Sequence, residues 1–157
     1  MLIVADSSAL VALAHCQSLD LLLRLFDDVK VPQAVYDEVV KPDKAQAAVL
    51  ARFLKGRVIP VDMGRYVFNA GGLGQGELEA MALYKELSAD RLLIDDRRAR
   101  AVAEHNRIKC VGALGILVLA KERGIINTVK PAVIALENSP IHYGEALLAK
   151  VLELAQE

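Results

Sequence analysis

Short apolar runs rich in strand formers alternate along this chain with segments of helical periodicity, and that alternation limits the fold more than any other feature. Residues 2–5 (LIVA) read as a strand, and Asp6-Ser7-Ser8 then offer capping oxygens for a helix over residues 9–14. Ser18 can cap a second helical piece, residues 19–26, before a minimal strand at Val29-Lys30-Val31. Pro32 suits the first turn of a helix over residues 32–41 that stops before Pro42. A further helix is predicted over 43–54, with Gly56 as its stop, followed by an edge strand over 57–61, because Pro60 cannot donate to a ladder.

Residues 62–76 form the long irregular stretch, ending in NAGGLGQG. The helix predicted over 77–87 then leads into a buried-type strand at 92–94 and a helix over 97–106. The chain closes with a strand at 108–111, a helix over 113–123 stopped by Gly124, and helices over 131–138 and 143–155. Apolar strands separated by helices imply a parallel sheet covered on both faces. No internal repeat or linker interrupts the 157 residues, so one domain is expected.

An open parallel sheet delivers every strand end, and the start of every following helix, to one edge. That rule sorts the acidic residues. Asp6 follows the first strand, Asp95 and Asp96 follow the 92–94 strand, and Glu77 lies in the opening turn of the helix before it. Glu38 is a turn or two inside its helix, on the face of Ala34 and Val35. Several carboxylates so gathered repel unless a hard divalent cation, Mg²⁺ or Mn²⁺, sits among them, and such an ion can activate water against a phosphodiester. Arg97, Arg98 and Arg100 open the next helix, where guanidinium groups could contact flanking phosphates or serve as salt-bridge partners.

The segments VADSSALVAL, VYDEVV, GELEAMALYKEL and LLIDDRRAR, continued by KCVGALGILVLAKERGII, resemble the PIN-domain ribonucleases, including the VapC-type toxins. The resemblance covers almost the whole chain. It implies a three-layer α/β/α sandwich with a central parallel sheet of four or five short strands, an acidic Mg²⁺ or Mn²⁺ pocket, and cleavage of RNA. It further implies a homodimer and an antitoxin protein that blocks the pocket. By matching motif, Asp6, Glu38, Glu77 and Asp96 would be the catalytic acids, with metal held by Asp6, Glu77, Asp96 and the neighbouring Asp95. Ser8 would orient a metal water or carboxylate beside Asp6. Ile94 stands where relatives often carry Thr, Glu77 where many carry Asp, and the Asp95-Asp96 doublet leaves two candidates for one ligand, of which spacing favours Asp96.

Each acid also has a plainer reading. Asp6 could cap the first helix, Glu77 could complement a helix dipole, and Glu38 could lie on a solvated face. Two alternatives of function stand beside the nuclease. Tyr66-Val67-Phe68 followed by GGLGQGE mimics a dinucleotide-binding turn of a Rossmann-like protein, although Glu77 falls on the frame's third glycine. A PIN-like module without catalysis is the other, against which none of the expected acids is neutral.

Composition narrows the setting. A formal charge of −1 supplies no global attraction to polyanions, so any RNA contact must be local. The longest apolar or glycine run, residues 111–120, is well short of the roughly 18 needed to span a bilayer. The apolar N-terminus lacks a basic leader and places Asp6 where a signal core should be, so no membrane segment is expected. Two distant cysteines, Cys16 and Cys110, suit a reduced cytoplasmic setting, and a mean hydropathy of +0.32 fits a buried interface with a second copy.

Overall fold

The computed structural model of the protein describes residues 1–65 and 72–157. Five strands form one sheet in the order β3-β2-β1-β4-β5, every neighbouring pair parallel. The strands are β1 (Leu2–Ala5), β2 (Asp28–Pro32), β3 (Val58–Ile59), β4 (Arg91–Leu93) and β5 (Cys110–Val111). Around them run α1 (Ser7–His15), α2 (Asp20–Leu25), α3 (Gln33–Val39), α4 (Ala47–Phe53), α5 (Gln75–Glu86), α6 (Arg97–His105), α7 (Ala113–Glu122), α8 (Lys130–Glu137) and α9 (Glu145–Leu154). The expected three-layer α/β/α sandwich is therefore observed, with five strands.

Side chains alternate across the sheet because successive residues of a strand face opposite ways. Ile3, Ala5, Val29, Val31 and Leu93 join the larger core with α1, α2 and α7 to α9. Val4, Leu92 and Ile94 face the smaller core, which Ala80, Met81 and Leu83 of α5 and Ala99 and Ala103 of α6 complete. Both layers are needed to bury strands that are apolar on both faces.

Differences from the predicted elements are local and have a cause. The helix predicted from residue 43 begins only at Ala47, with turn bonds from Lys44 N to Lys41 O and from Ala47 N to Lys44 O before it. Residues 41–45 are all exposed, so no apolar contact offsets the cost of fixing that backbone. Pro32 ends β2 and caps α3 rather than opening the helix, and β3, shorter than predicted, lies at the sheet edge before Pro60. Gly56 and Gly124 stop their helices in the left-handed region, at φ 77° and 72°. No helix among the described residues is long and apolar enough to cross a membrane.

Strand register sets up the site. Ala5 pairs beside Leu93, and the ladder extends one bond further, Asp6 N donating to Leu93 O at 2.8 Å. The strand order reverses between β1 and β4, the place where an open α/β sheet leaves a crevice outside its strand ends. Asp6 and Asp96 leave the two strands that flank this crevice.

Candidate active site

A cavity of ≈ 520 Å³ opens at that crevice, and Asp6, Glu38, Glu77 and Asp96 all line it. Four separate elements bring them there. Asp6 follows β1, Asp96 precedes α6, Glu77 stands in the first turn of α5, and Glu38 projects from α3. On α3, Ala34, Asp37 and Glu38 line the cavity, a spacing of three and four residues that puts them on one helical face, and Lys41, just past the end of that helix, lines it too.

Asp6 is the buried member, only 3% exposed. It occupies the N-cap position of α1, yet its side chain makes no capping bond, so the plain capping reading fails. Burial, followed by the Glu77, Glu38 and Asp96 carboxylates, raises its pKa to about 7 against the opposing Ser7 N–H. An acid kept at that cost without a cap calls for another function.

The remaining three are each held by one oxygen. Ser7 Oγ donates to Glu38 Oε2 at 2.7 Å, Gly74 N to Glu77 Oε2 at 2.9 Å, and Ala99 N to Asp96 Oδ1 at 2.8 Å. No further hydrogen bond to these carboxylates occurs among the described residues, which leaves a second oxygen on each. Also among the described residues, no three His, Cys, Asp or Glu side chains already stand in metal-chelating array. The donor set nonetheless fits a hard cation: its acids offer oxygens alone, with no thiolate or imidazole lining the cavity, and their mutual repulsion is visible on Asp6.

Asp95 stands apart from this set. Its Oδ1 accepts from Ala113 N at 2.8 Å and its Oδ2 from the Tyr143 hydroxyl at 2.6 Å, so both oxygens are committed away from the acidic cavity. It fastens the start of α7 and the segment before α9 to the end of β4, whereas Asp96 lines the acidic cavity. Burial and the Asp95 carboxylate push the Tyr143 hydroxyl well above its ordinary pKa, so it remains a donor. Tyr143→Phe is expected to lower stability by about 1.5–3 kcal/mol, the cost of a lost bond to a charged acceptor. An unchanged urea midpoint would show that this fastening contributes nothing.

Ser8 lines the cavity without a hydrogen bond to an acid among the described residues. It is exposed at the cavity mouth, and the hydroxyl that holds an acid is that of Ser7. Among the arginines, Arg97 is exposed and lines neither the acidic cavity nor the groove beside it, and the Arg98 guanidinium lies against the Gly72 backbone, where an added Cβ would come within 2.7 Å of it. Arg100 pairs with Glu104 at 3.0 Å and lines a neighbouring groove. Lys41 and Ser7 escaped the sequence reading. Lys41 had a signal, three residues beyond Glu38, whereas nothing local separates Ser7 from Ser8.

The dinucleotide alternative loses its cradle here. The N–H of Gly74, which would face a pyrophosphate, is taken by the Glu77 carboxylate, and the turn after β1 carries no glycine. Tyr66, Val67 and Phe68, the strand that alternative required, fall outside the described residues.

A family model described as a PIN domain matches residues 2–157. The chain belongs to the PIN-domain family. A search of curated proteins found no match to the chain. PIN domains are generally nucleases, and this PIN domain has carboxyl groups lining the cavity at Asp6, Glu38, Glu77 and Asp96.

Proposed function

We propose that this PIN domain is a metal-dependent endoribonuclease that hydrolyses RNA phosphodiester bonds in the Asp6 cavity. The carrying observation is that acids from four elements converge at the sheet's switch point around a buried Asp6 that caps nothing. Asp6, Glu38, Glu77 and Asp96 would hold Mg²⁺ or Mn²⁺, which when bound supplies an activated water and neutralises charge on the phosphate. Ser7 orients Glu38, Gly74 N–H orients Glu77, and Ala99 N–H orients Asp96, so each acid is fixed before substrate arrives. Lys41, the one cation lining the cavity among the described residues, makes no ion pair there and stands open to a phosphate oxygen.

The resemblance to VapC-type toxins extends the proposal to a cytoplasmic toxin that works as a homodimer and is silenced by an antitoxin protein. The deciding experiment incubates purified protein with RNA and Mn²⁺, with EDTA and Asp6→Asn as controls. Cleavage that survives either control would sink the proposal, and a metal-independent, uncleaving parent would favour the catalytically silent module.

Gly76 offers a second check. A Cβ there would lie 3.4 Å from Glu38 Oε2 and 3.9 Å from Asp6 Oδ1, ordinary contact distances that the fold tolerates. The methyl would nevertheless occupy space between two acids. Gly76→Ala is expected to retain or slightly raise the melting temperature, since Ala favours a helix, while weakening Mn²⁺ binding about tenfold, or about 1.4 kcal/mol. Calorimetric titration showing parental affinity would remove these two side chains from the metal site.

A further inference from the structure

Beside the acidic cavity runs a groove of ≈ 850 Å³, and Ser8 and Asp96 line both, so the two adjoin. The groove follows the open edge of β5, walled by α7 and α9. Its floor is apolar, with Leu114 and Val118 on one side and Leu147 and Val151 on the other; Leu147 remains 49% exposed. Arg91, Arg100 and Lys150 line it from β4, α6 and α9.

The cations are only lightly engaged. Arg91 Nη1 donates to the Asp90 carbonyl, and the Arg100–Glu104 and Lys150–Glu153 pairs are exposed contacts of one helical turn at 3.0 and 3.6 Å. Exposed pairs of this kind contribute at most about 1 kcal/mol, so a phosphate can replace the partner. Three acids share the lining: Asp96 belongs to the acidic cavity as well, Asp95 turns both oxygens to Ala113 N–H and the Tyr143 hydroxyl, and Glu122 stands on α7.

We propose that this groove is the subsite for single-stranded RNA on one side of the scissile phosphate, with Arg91, Arg100 and Lys150 on its phosphates and the apolar floor beneath its bases. The inference rests on the nuclease reading above and adds where the strand runs. Three cations on three elements, flanking an apolar floor that adjoins the cleavage cavity, match a polyanion with flat apolar faces. They also explain how a chain of net charge −1 engages RNA locally.

The test measures fluorescence anisotropy of labelled RNAs of roughly 12 and roughly 4 nucleotides, lengths spanning common single-strand site sizes. It uses the full chain carrying Asp6→Asn, alone and with Arg91→Ala/Lys150→Ala or Leu147→Glu. The double substitution is expected to weaken the longer RNA about tenfold and to flatten its log–log salt dependence by about 1.4, two lost phosphate contacts. The shorter RNA should change much less. Leu147→Glu, at a half-exposed position the fold does not depend on, should weaken the longer RNA too, and it decides the matter if the double variant fails to fold. Longer-RNA binding and salt slope equal to Asp6→Asn alone would overturn the groove. So would unchanged RNA binding with an altered sedimentation coefficient, which would make this face a contact between copies of the chain. A parent without Mn²⁺-dependent cleavage overturns the nuclease reading itself, whereas a cleaving parent whose variants bind normally overturns the groove alone.

Discussion

Asp6→Asn is expected to be more stable than the parent above neutral pH in the absence of metal, and inactive in its presence. The reason is the buried carboxyl whose pKa is raised from 3.8 to about 7, first by burial and then by Glu77, Glu38 and Asp96. A group whose folded pKa is raised favours the folded state fully below its unfolded pKa. That contribution is lost as pH climbs from about 4 to about 7, because the unfolded chain ionises first. Above this window the folded parent carries an ionised Asp6 among three other acids, whereas Asn bears no charge at any pH. The stability gain of Asp6→Asn should therefore be near zero at about pH 4 and reach about 2–4 kcal/mol by about pH 8. Cleavage in Mn²⁺ should fall by about three orders of magnitude, about 4 kcal/mol of transition-state stabilisation. Urea unfolding across pH checks the first half, and a pH-independent difference between the two proteins would remove the ionisation argument. The combination of stability gained and activity lost is what an acid retained for function should show.

Mn²⁺ is expected to raise the melting temperature of the parent at about pH 8 and to do so very little at about pH 5, where protons compete for the same oxygens. At a hundredfold excess over its dissociation constant the ion would add about 2.7 kcal/mol, which for a domain of this size is roughly 5–10 °C. Asp6→Asn should lose most of this response, and Gly76→Ala should need about ten times more Mn²⁺ to reach it. Scanning fluorimetry over pH and Mn²⁺ concentration is sufficient. An equal rise at both pH values, or a full response in Asp6→Asn, would place the ion elsewhere on the molecule.

Much of the site was legible because parallel-sheet geometry leaves few choices. Once residues 2–5 and 92–94 are neighbouring strands, Asp6 and the Asp95-Asp96 doublet must emerge on one edge, and the helix carrying Glu77 must start there. Glu38 followed from helical spacing with Ala34. The doublet was different. Two consecutive acids leaving a strand point to different sides, and the sequence favours one only by spacing; Ala113 N–H and the Tyr143 hydroxyl, 18 and 48 residues away, captured Asp95. Ser7 and Ser8 differ by one step around α1, and only the packing of α1 on the sheet turns Ser7 toward Glu38. The arginines were read as one group, yet Arg98 lies on the Gly72 backbone while Arg100 faces the groove.

The linear chain by itself determined which segments are strands and which are helices, and hence the edge on which the acids gather, because those follow from periodicity and from the direction of strand ends. Which of two adjacent side chains enters the cavity, how deeply Asp6 is buried, and that an apolar-floored groove carrying Arg91, Arg100 and Lys150 adjoins the acidic cavity were decided by the tertiary structure. These depend on contacts between residues far apart in the chain, and a hydrogen bond or a packed face across that distance has no local signature to be read.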